Sequence, residues 1–164
     1  MNLKRINKSA LLVSPICMGT ATIGSIVNER DSFKRFDMFY ENGGNFLDTS
    51  NIYSDWIDGI PKSVSEKTIG KWIKSRNLEN DVIVATKGGH GILHGVIAGK
   101  TRLGRDELNE QIQKSLENLC VNSIGSSIVI ICVDFSRLIL LINAASVVDL
   151  PEPVGPVTST NPRG

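Results

Sequence analysis

Three short apolar segments, each ending in polar residues, alternate along the chain with longer segments of mixed character. The apolar segments are "LLVSPICMGT" at 11–20, "NFLDTS" at 45–50 and "DVIVATK" at 81–87. Short runs rich in Val, Ile, Leu and Phe favour β-strands. The third run is almost continuously apolar, which is typical of a strand buried on both faces of a parallel sheet. We therefore predict three strands whose polar ends are Gly19–Thr20, Asp48–Ser50 and Thr86–Lys87.

The segments that follow these strands have apolar residues at helical spacing. They predict amphipathic helices within 28–44, 63–77 and 105–121. The residues expected on their buried faces are, in chain order, Phe33, Phe36 and Tyr40; Ile69, Trp72 and Ile73; and Leu108, Ile112, Leu116 and Leu119.

The ends of the first two helices have capping residues. Asn28 or Asp31 can cap the start of the first helix, and Gly43 can end it in the left-handed conformation. Ser63, with Glu66 three residues later, has the spacing of a capping box at the start of the second helix.

Repeated strand–helix units imply parallel strands joined by right-handed crossovers. Two architectures satisfy that order, an open doubly wound sheet and a closed eight-stranded barrel, and both gather functional residues at the carboxyl ends of the strands. No GxGxxG follows the first strand and no GxxxxGK[ST] occurs, which weakens the interpretation as a nucleotide-binding open sheet. The residues before the first strand predict a hairpin that leads into it.

Composition narrows the class of protein and its partners. The chain has 164 residues, 41% hydrophobic and 21% charged, with a net charge of +1. These values are typical of a soluble domain and give no support for a nucleic-acid or anionic-membrane partner. Cys17, Cys120 and Cys132 are odd in number and widely spaced, which argues against a disulfide framework and a zinc site and favours a cytoplasmic location.

Composition changes abruptly near Gly125. Residues 1–124 contain 30 of the 35 Lys, Arg, Asp and Glu residues, and residues 125–164 contain five. The tail begins with the apolar run "SSIVIICVDFSRLILLINAASVV" and closes with a Pro/Gly/Thr-rich segment that looks unstructured. Asp134 and Arg137 interrupt the apolar run, so a strand followed by a short second element is favoured over a membrane span at 128–150.

Three side chains at or just after the strand ends suggest acid catalysis: Asp48, Tyr53 and Lys87. A tyrosine hydroxyl has a reference pKa near 10, but a neighbouring ammonium stabilises the phenolate and makes the phenol a better acid. A carboxylate paired with the ammonium holds it in place and keeps it charged. Such a set suits protonation of the alkoxide formed when a cofactor delivers hydride to a carbonyl. Taken singly, each residue has a simpler interpretation as a turn cap, a solvated lysine or a packed tyrosine.

These motifs resemble a known family. "LLVSPICMGT", "NGGNFLDTSNIYSDW", "SEKTIGKWIKSRN", "VIVATKGG" and "LGRDELNEQIQKSLENL" are similar, in order over about residues 4–124, to the N-terminal half of an aldo/keto reductase. The resemblance implies the N-terminal half of a (β/α)8 TIM barrel. It also implies a cytoplasmic enzyme that reduces aldehydes or ketones with NADPH, or less often NADH, and uses no metal.

The resemblance also assigns roles to individual residues. Asp48 matches the family's catalytic aspartate, Tyr53 its general acid and Lys87 its catalytic lysine. Gly19 and Thr20 match the first-strand turn beside the nicotinamide, and Asp48 is expected to contribute there as well.

The chain departs from the family after Ile124. The family's catalytic histidine, at the end of the fourth strand, has no counterpart, and the histidines present, His90 and His94, lie in the loop after Lys87. A complete barrel needs about 200 residues or more. Residues 1–124 are therefore expected to form a partial barrel and 125–164 a non-matching tail, as in a truncated or frameshifted reductase with weak activity or none. The alternatives are a non-catalytic half-barrel that associates through its exposed edges and, less favoured, a membrane anchor in the tail.

Overall fold

The computed structural model of the protein describes residues 1–6, 11–88, 105–120, 128–134 and 137–142. A short antiparallel hairpin opens the chain, formed by β1 (Lys4–Arg5) and β2 (Leu12–Val13). This confirms the predicted N-terminal hairpin, but its second strand takes Leu12 and Val13 from the segment predicted as the first strand of the sheet.

Five further strands in the described ranges form one sheet, in the same order in space as along the chain. They are β3 (Met18–Gly19), β4 (Phe46–Asp48), β5 (Ile83–Gly88), β6 (Ile128–Asp134) and β7 (Arg137–Ile142). Strands β3 to β6 are parallel, and β7 pairs antiparallel with β6. The predicted parallel order is therefore confirmed for the three predicted strands, β3 to β5, and β6 extends it into the tail.

Along the chain, each helix connects two consecutive parallel strands. Helix α1 (Glu29–Glu41) follows β3, α2 (Val64–Arg76) follows β4 and α3 (Arg105–Asn118) follows β5. The caps of α1 are as predicted: the Asn28 side chain accepts a hydrogen bond of 2.9 Å from the Asp31 N–H. Gly43 ends the segment at φ +82°, a left-handed conformation that glycine adopts without strain.

The predicted capping box at the start of α2 is wrong. Ser63 lies in the left-handed region and caps nothing with its side chain. Its hydroxyl donates to the carbonyl of Asn51 (2.8 Å), and its N–H donates to Asp55 Oδ1 (2.9 Å). Asp55 therefore takes the N–H that Glu66 would bind in a capping box, and Glu66 is free to turn into the interior.

The sheet separates two apolar clusters. The larger lies between the sheet and the helices and includes Phe36 and Trp72, exposed by 0% and 1%. Burying each such side chain contributes roughly 2–3 kcal/mol. The smaller cluster lies on the other face, where Val13, Ile83 and Ala85 pack together. Neighbouring positions along β4 and β5 alternate between the two clusters, as the pleat of a strand requires.

The buried faces predicted for the three helices (their apolar stripes) are confirmed where the side chains are described. Ile69, Trp72 and Ile73 of α2 are buried, and Phe36 is the buried centre of the α1 stripe. The other described stripe residues are buried or pack partly buried against the same cluster, namely Phe33, Tyr40, Ile112, Leu116 and Leu119. The side chain of Leu108 lies outside the described part.

One aspartate ties α1 to α2 beside this cluster. Asp37 accepts hydrogen bonds from the indole N–H of Trp72 (2.8 Å) and from the guanidinium of Arg76 (3.0 and 2.8 Å). The hydrogen bond from Arg76 is the main cause that lowers the pKa of Asp37; burial opposes it, and the bond from Trp72 adds to it.

The tail contributes two strands to the sheet. β6 pairs in parallel with β5, with Val84 opposite Ile128, and β7 returns with Arg137 opposite Asp134. This confirms the predicted strand and second element, although a repeated strand–helix unit would place a helix there. In the parts of the chain that can be described, no helix has the length and apolar character to cross a membrane. The proposed boundary at Gly125 and the Pro/Gly/Thr-rich end lie outside the described residues.

Candidate active site

The register of the sheet brings the predicted catalytic residues together. Asp48, the last residue of β4, pairs with Gly19 of β3 on one side and with Ala85 of β5 on the other. Lys87 is two residues beyond Ala85, so it faces the same side of the sheet as Asp48. Tyr53 reaches this point from the turn that follows β4.

Lys87 lies at the centre of the site. Its ammonium donates to Asp48 Oδ1 (2.5 Å), to the carbonyl oxygen of Thr49 (2.9 Å) and to the hydroxyl oxygen of Tyr53 (3.0 Å). An ammonium has three N–H donors, and these three acceptors use all of them. The position of the ammonium is therefore fixed from three directions.

Asp48 contacts both other members of the group. Its Oδ1 accepts from Lys87, and its Oδ2 accepts from the Tyr53 hydroxyl at 3.1 Å. The sequence predicted a carboxylate that supports the lysine; the structure adds the direct bond to the tyrosine. The Lys87 ammonium also lies 4.9 Å from the centroid of the Tyr53 ring, within the range of a cation–π contact.

The environment keeps Lys87 charged. Burial by itself lowers the pKa of Lys87, but the hydrogen bonds to Asp48 and Tyr53 and the attraction of their charges outweigh it, so that the net pKa is raised. The side chains of Lys87 and Asp48 are 19% and 32% exposed, so the pair is accessible from one side.

The first-strand turn presents an exposed glycine and a buried threonine. A side chain added at Gly19 would meet no described atom within 4 Å, so protein packing does not explain why this residue is a glycine. A flat ligand lying close to the backbone would explain it. Thr20 is 1% exposed, and its hydroxyl donates to the carbonyl of Asp48 (2.8 Å), so it faces the protein. The assignment of Gly19, Thr20 and Asp48 to a cofactor stays a prediction.

Sequence reasoning missed two participants. One is the Thr49 carbonyl, a backbone group that leaves no trace in a motif. The other is Cys17, whose thiol interacts electrostatically with Asp48 and Lys87. Cys17 is exposed as a residue, but its sulfur is partly buried. This burial and, second, the carboxylate of Asp48 raise the pKa of the thiol to about 11, while the charge of Lys87 lowers it. The position of Cys17 two residues before Gly19, immediately before β3, could have indicated this.

Other candidate features lie away from the site or beyond description. A groove of about 510 Å³ lies on the helical side and is lined by residues that include Gly24, Val64, Lys71 and Lys114, none of them from the predicted site. His90 and His94, in the loop after Lys87, fall outside the described residues. Cys17 and Cys120 are free thiols.

Comparisons with known proteins point to one family. The model of the aldo/keto reductase family matches residues 15–138. An aryl-alcohol dehydrogenase [NADP(+)] of Phanerodontia chrysosporium is 39% identical over 85 residues, 47% of this chain and 20% of that protein. A norsolorinic acid reductase of Emericella nidulans is 37% identical over 86 residues, 48% of this chain and 20% of that protein.

A solved structure agrees in fold. An aldo-keto reductase of Bacillus halodurans, solved in its holo form, superposes with a TM-score of 0.60 at 26% identity, covering 76% of this chain and 38% of that one. The matched part of this chain spans about a fifth of the length of each of the two curated relatives. The parallel strands and intervening helices form part of the barrel that the sequence predicted, and the chain belongs to the aldo/keto reductase family.

Proposed function

We propose that Tyr53, Lys87 and Asp48 form the proton-donating site of an NAD(P)H-dependent carbonyl reductase. The observation that carries the proposal is the position of the Lys87 ammonium, bonded to the Tyr53 hydroxyl at 3.0 Å and to Asp48 at 2.5 Å. It gives the phenol a fixed positive neighbour, which a tyrosine needs to act as a general acid near neutral pH.

In this proposal Tyr53 donates its phenolic proton to the carbonyl oxygen of the substrate as negative charge develops there. Lys87 stabilises the phenolate that remains, and Asp48 keeps the ammonium charged and in place. Because the hydroxyl donates to Asp48 Oδ2 in the structure, its hydrogen must first rotate toward the substrate. When bound, the nicotinamide cofactor supplies the hydride that reduces the carbonyl carbon.

The exposed backbone at Gly19, beside Asp48, supports the placement of a nicotinamide ring there, since no described atom lies within 4 Å of the point where a Cβ would stand. One relative carries NADP(+) in its name, so NADPH is the proposed cofactor and NADH the alternative. A small aldehyde or ketone is the proposed substrate. An aromatic aldehyde is the first to test, because that relative is named for aryl alcohols and the half-exposed Trp56 ring stands edge-on to Tyr53 at 6.4 Å.

Two further points belong to this proposal. Turnover by these 164 residues is expected to be slow, because the segment that matches the two curated relatives covers only a fifth of the length of each. A reducing cytoplasm is the proposed location, since there Cys17 and Cys120 would stay free thiols.

The test combines cofactor binding with turnover. NADPH binding is followed by fluorescence, and reduction of an aromatic aldehyde is followed by loss of NADPH absorbance. Tyr53→Phe should abolish turnover and leave binding nearly unchanged, because the hydroxyl serves the chemical step. Tyr40→Phe, which alters the other tyrosine, in α1 beside Trp72, is the matched control and should change neither. Failure of the unmodified chain to bind millimolar NADPH, or full turnover by Tyr53→Phe, would contradict the proposal.

A second candidate is a partial barrel that acts through association with another chain. Among the described strands, β3 pairs only with β4 and β7 only with β6, so the sheet has an edge at each end. Unpaired edges readily add strands from other chains. Sedimentation velocity separates the two candidates: a dimer without NADPH binding favours this one, and a monomer that binds NADPH removes it.

A further inference from the structure

Three buried threonines stand at the carboxyl ends of the three strands that carry the site. Thr20 follows β3, Thr49 follows β4 and Thr86 lies in β5, and each is exposed by at most 1%. Each is the direct neighbour in sequence of a residue on the site face: Gly19, Asp48 and Lys87. Because successive side chains of a strand point to opposite faces, the threonines point toward the helices while Asp48 and Lys87 point toward the site.

Two consecutive residues in the first turn of α2 bind all three threonines. The hydroxyl of Ser65 donates to the Thr20 carbonyl (2.9 Å) and lies within hydrogen-bond distance of the hydroxyls of Thr20 (2.9 Å) and Thr49 (3.0 Å). Glu66 Oε1 accepts from the hydroxyl of Thr86 at 2.6 Å. Ser65 thus joins β3 to β4, and Glu66 joins α2 to β5.

Both carboxylate oxygens of Glu66 are hydrogen-bonded inside the protein. It is 0% exposed, and its second oxygen accepts from the side-chain amide of Asn118 at the end of α3 (2.8 Å). A carboxylate buried without partners would be strongly destabilised, so both bonds hold it to one position. Two elements, β5 and α3, therefore meet at this one side chain.

The threonines in turn hold the groups that form the site. Thr20 donates to the Asp48 carbonyl through its N–H (3.1 Å) and its hydroxyl (2.8 Å). The carbonyl of Thr49 is one of the three acceptors of the Lys87 ammonium. A displacement of Thr49 or Thr86 would move Asp48 or Lys87 directly, because each pair shares a peptide unit.

We propose that Ser65 and Glu66 are positioning residues that set the separation of Asp48, Tyr53 and Lys87 from behind the sheet. They touch no reacting group; they act through the three threonines. The inference about turnover rests on the proposed function, but the inference about the geometry of Lys87 does not.

The chain offers matched variants. Glu66→Gln keeps the shape of the side chain but replaces one acceptor oxygen with an amide donor, and Ser65→Ala removes only a hydroxyl. Thr68→Val is the control, since it also removes a buried hydroxyl from α2. Among the residues that the structure describes, that hydroxyl bonds only within its own helix, to the Val64 carbonyl at 2.8 Å.

The first readout is the pKa of Lys87, measured by NMR on lysine-labelled protein and assigned with Lys87→Met. In Glu66→Gln and Ser65→Ala it should fall from its raised value toward that of an ordinary lysine, because the bonds to Asp48 and Tyr53 loosen. It should stay unchanged in Thr68→Val. The second readout is turnover. Misplacement of catalytic groups by about 1 Å costs on the order of 10²-fold, so kcat should fall by roughly ten- to a hundredfold while KM stays within about twofold.

Each outcome decides the matter. An unchanged Lys87 pKa in folded Glu66→Gln, or an equal change in Thr68→Val, overturns the proposal and leaves these residues with a purely structural role. If Glu66→Gln fails to fold by circular dichroism, the milder Ser65→Ala decides by the same criterion. If the unmodified chain shows no turnover at all, the proposed function fails, whereas the Lys87 titration still tests the positioning role.

Discussion

Asp48 and Lys87 lie on adjacent strands, 39 positions apart in sequence, and their side chains meet at 2.5 Å on the same face of the sheet. Neither side chain is fully buried. The additional hydrogen bonds to Tyr53 and Thr49 therefore stabilise the ion pair more than exclusion of water does. Lys87 and Asp48 bond to each other and also to Tyr53. This arrangement should affect the stability of the fold, the reactivity of Cys17 and catalysis, and each effect can be measured separately.

The ion pair should contribute stability that is lost at alkaline pH. The pKa of Lys87 is raised in the folded chain, so its contribution is complete below the unfolded value of about 10.4 and disappears as pH rises through the folded value. Asp48→Asn should remove about 1 kcal/mol near pH 8 and less above pH 11, given the partial exposure of the pair. Urea unfolding at both pH values provides the measurement. Glu29→Gln, which breaks the exposed pair with Lys71, should follow the pH dependence of the unmodified chain.

Removal of the lysine should affect chemistry more than binding. Lys87→Met leaves Tyr53 without its positive neighbour, so kcat for carbonyl reduction should fall by about 10²–10⁴-fold. NADPH affinity should change little. Steady-state kinetics beside a fluorescence titration distinguish the two effects. A variant that retains full kcat would rule out the assigned role of Lys87, and Lys114→Met on the outer helical side is the control.

Cys17 should be a slow nucleophile in spite of its exposure. With a pKa of about 11, the thiol is almost entirely protonated at pH 8. Its alkylation by iodoacetamide, located by peptide mass spectrometry, should accelerate steadily up to about pH 11. Asp48→Asn should make alkylation faster at a given pH, since the carboxylate raises the pKa, and Lys87→Met should make it slower. Equal rates in all three proteins would show that neither charge reaches the thiol.

Substitution by alanine should lower the free energy of unfolding at Gly70 but hardly change it at Gly19. A Cβ at Gly70 would lie 2.5 Å from the carbonyl oxygen of Asn118, so Gly70→Ala should destabilise the chain by about 1–3 kcal/mol through overpacking of α2 against α3. A Cβ at Gly19 meets no described atom within 4 Å, so Gly19→Ala should stay within about 0.5 kcal/mol. If the cofactor lies against Gly19, that variant should nevertheless weaken NADPH binding. Thermal unfolding and a binding titration on both variants check the contrast.

Asp37 should stabilise the packing of α1 against α2 in a pH-dependent way. Its pKa is lowered, mainly by Arg76, so its contribution is present above the unfolded value of about 3.9 and is lost as pH falls through the folded value. Asp37→Asn should cost about 1–2 kcal/mol at pH 7, through weaker bonds to Arg76 and Trp72, and almost nothing near pH 2. Chemical denaturation at both pH values measures this, with Glu117→Gln on α3 as an exposed control.

Periodicity predicted most of the fold. The stripes of α1 and α2 and the apolar strands were visible because burial repeats with the period of each element, and a repeat is local information. The antiparallel return of β7 was not visible, since an apolar run gives no direction of pairing. The site side chains Asp48, Tyr53 and Lys87 could be predicted because each stands at or just beyond a strand end.

Hydrogen bonds between distant segments could not be predicted in this way. Ser63 and Glu66 have the spacing of a capping box, yet Asp55 and Thr86 bind them instead. Asp55 lies in a turn and Thr86 in a strand, and both approach α2 only in the complete fold. The Thr49 carbonyl was missed for the same reason, since every residue has a carbonyl and only the folded chain selects one.

The pairing of Asp48 with Ala85 protects the sheet against misfolding. If β4 or β5 slipped by one residue, all its side chains would change faces. A slip of β4 would turn Asp48 away from Lys87 to the helical side, where the carboxylate of Glu66 is already buried, and Thr49 would take its place at the site. A charge buried in that way costs several kcal/mol. The charged groups proposed for catalysis thus also disfavour the wrong alignment of the strands that carry them.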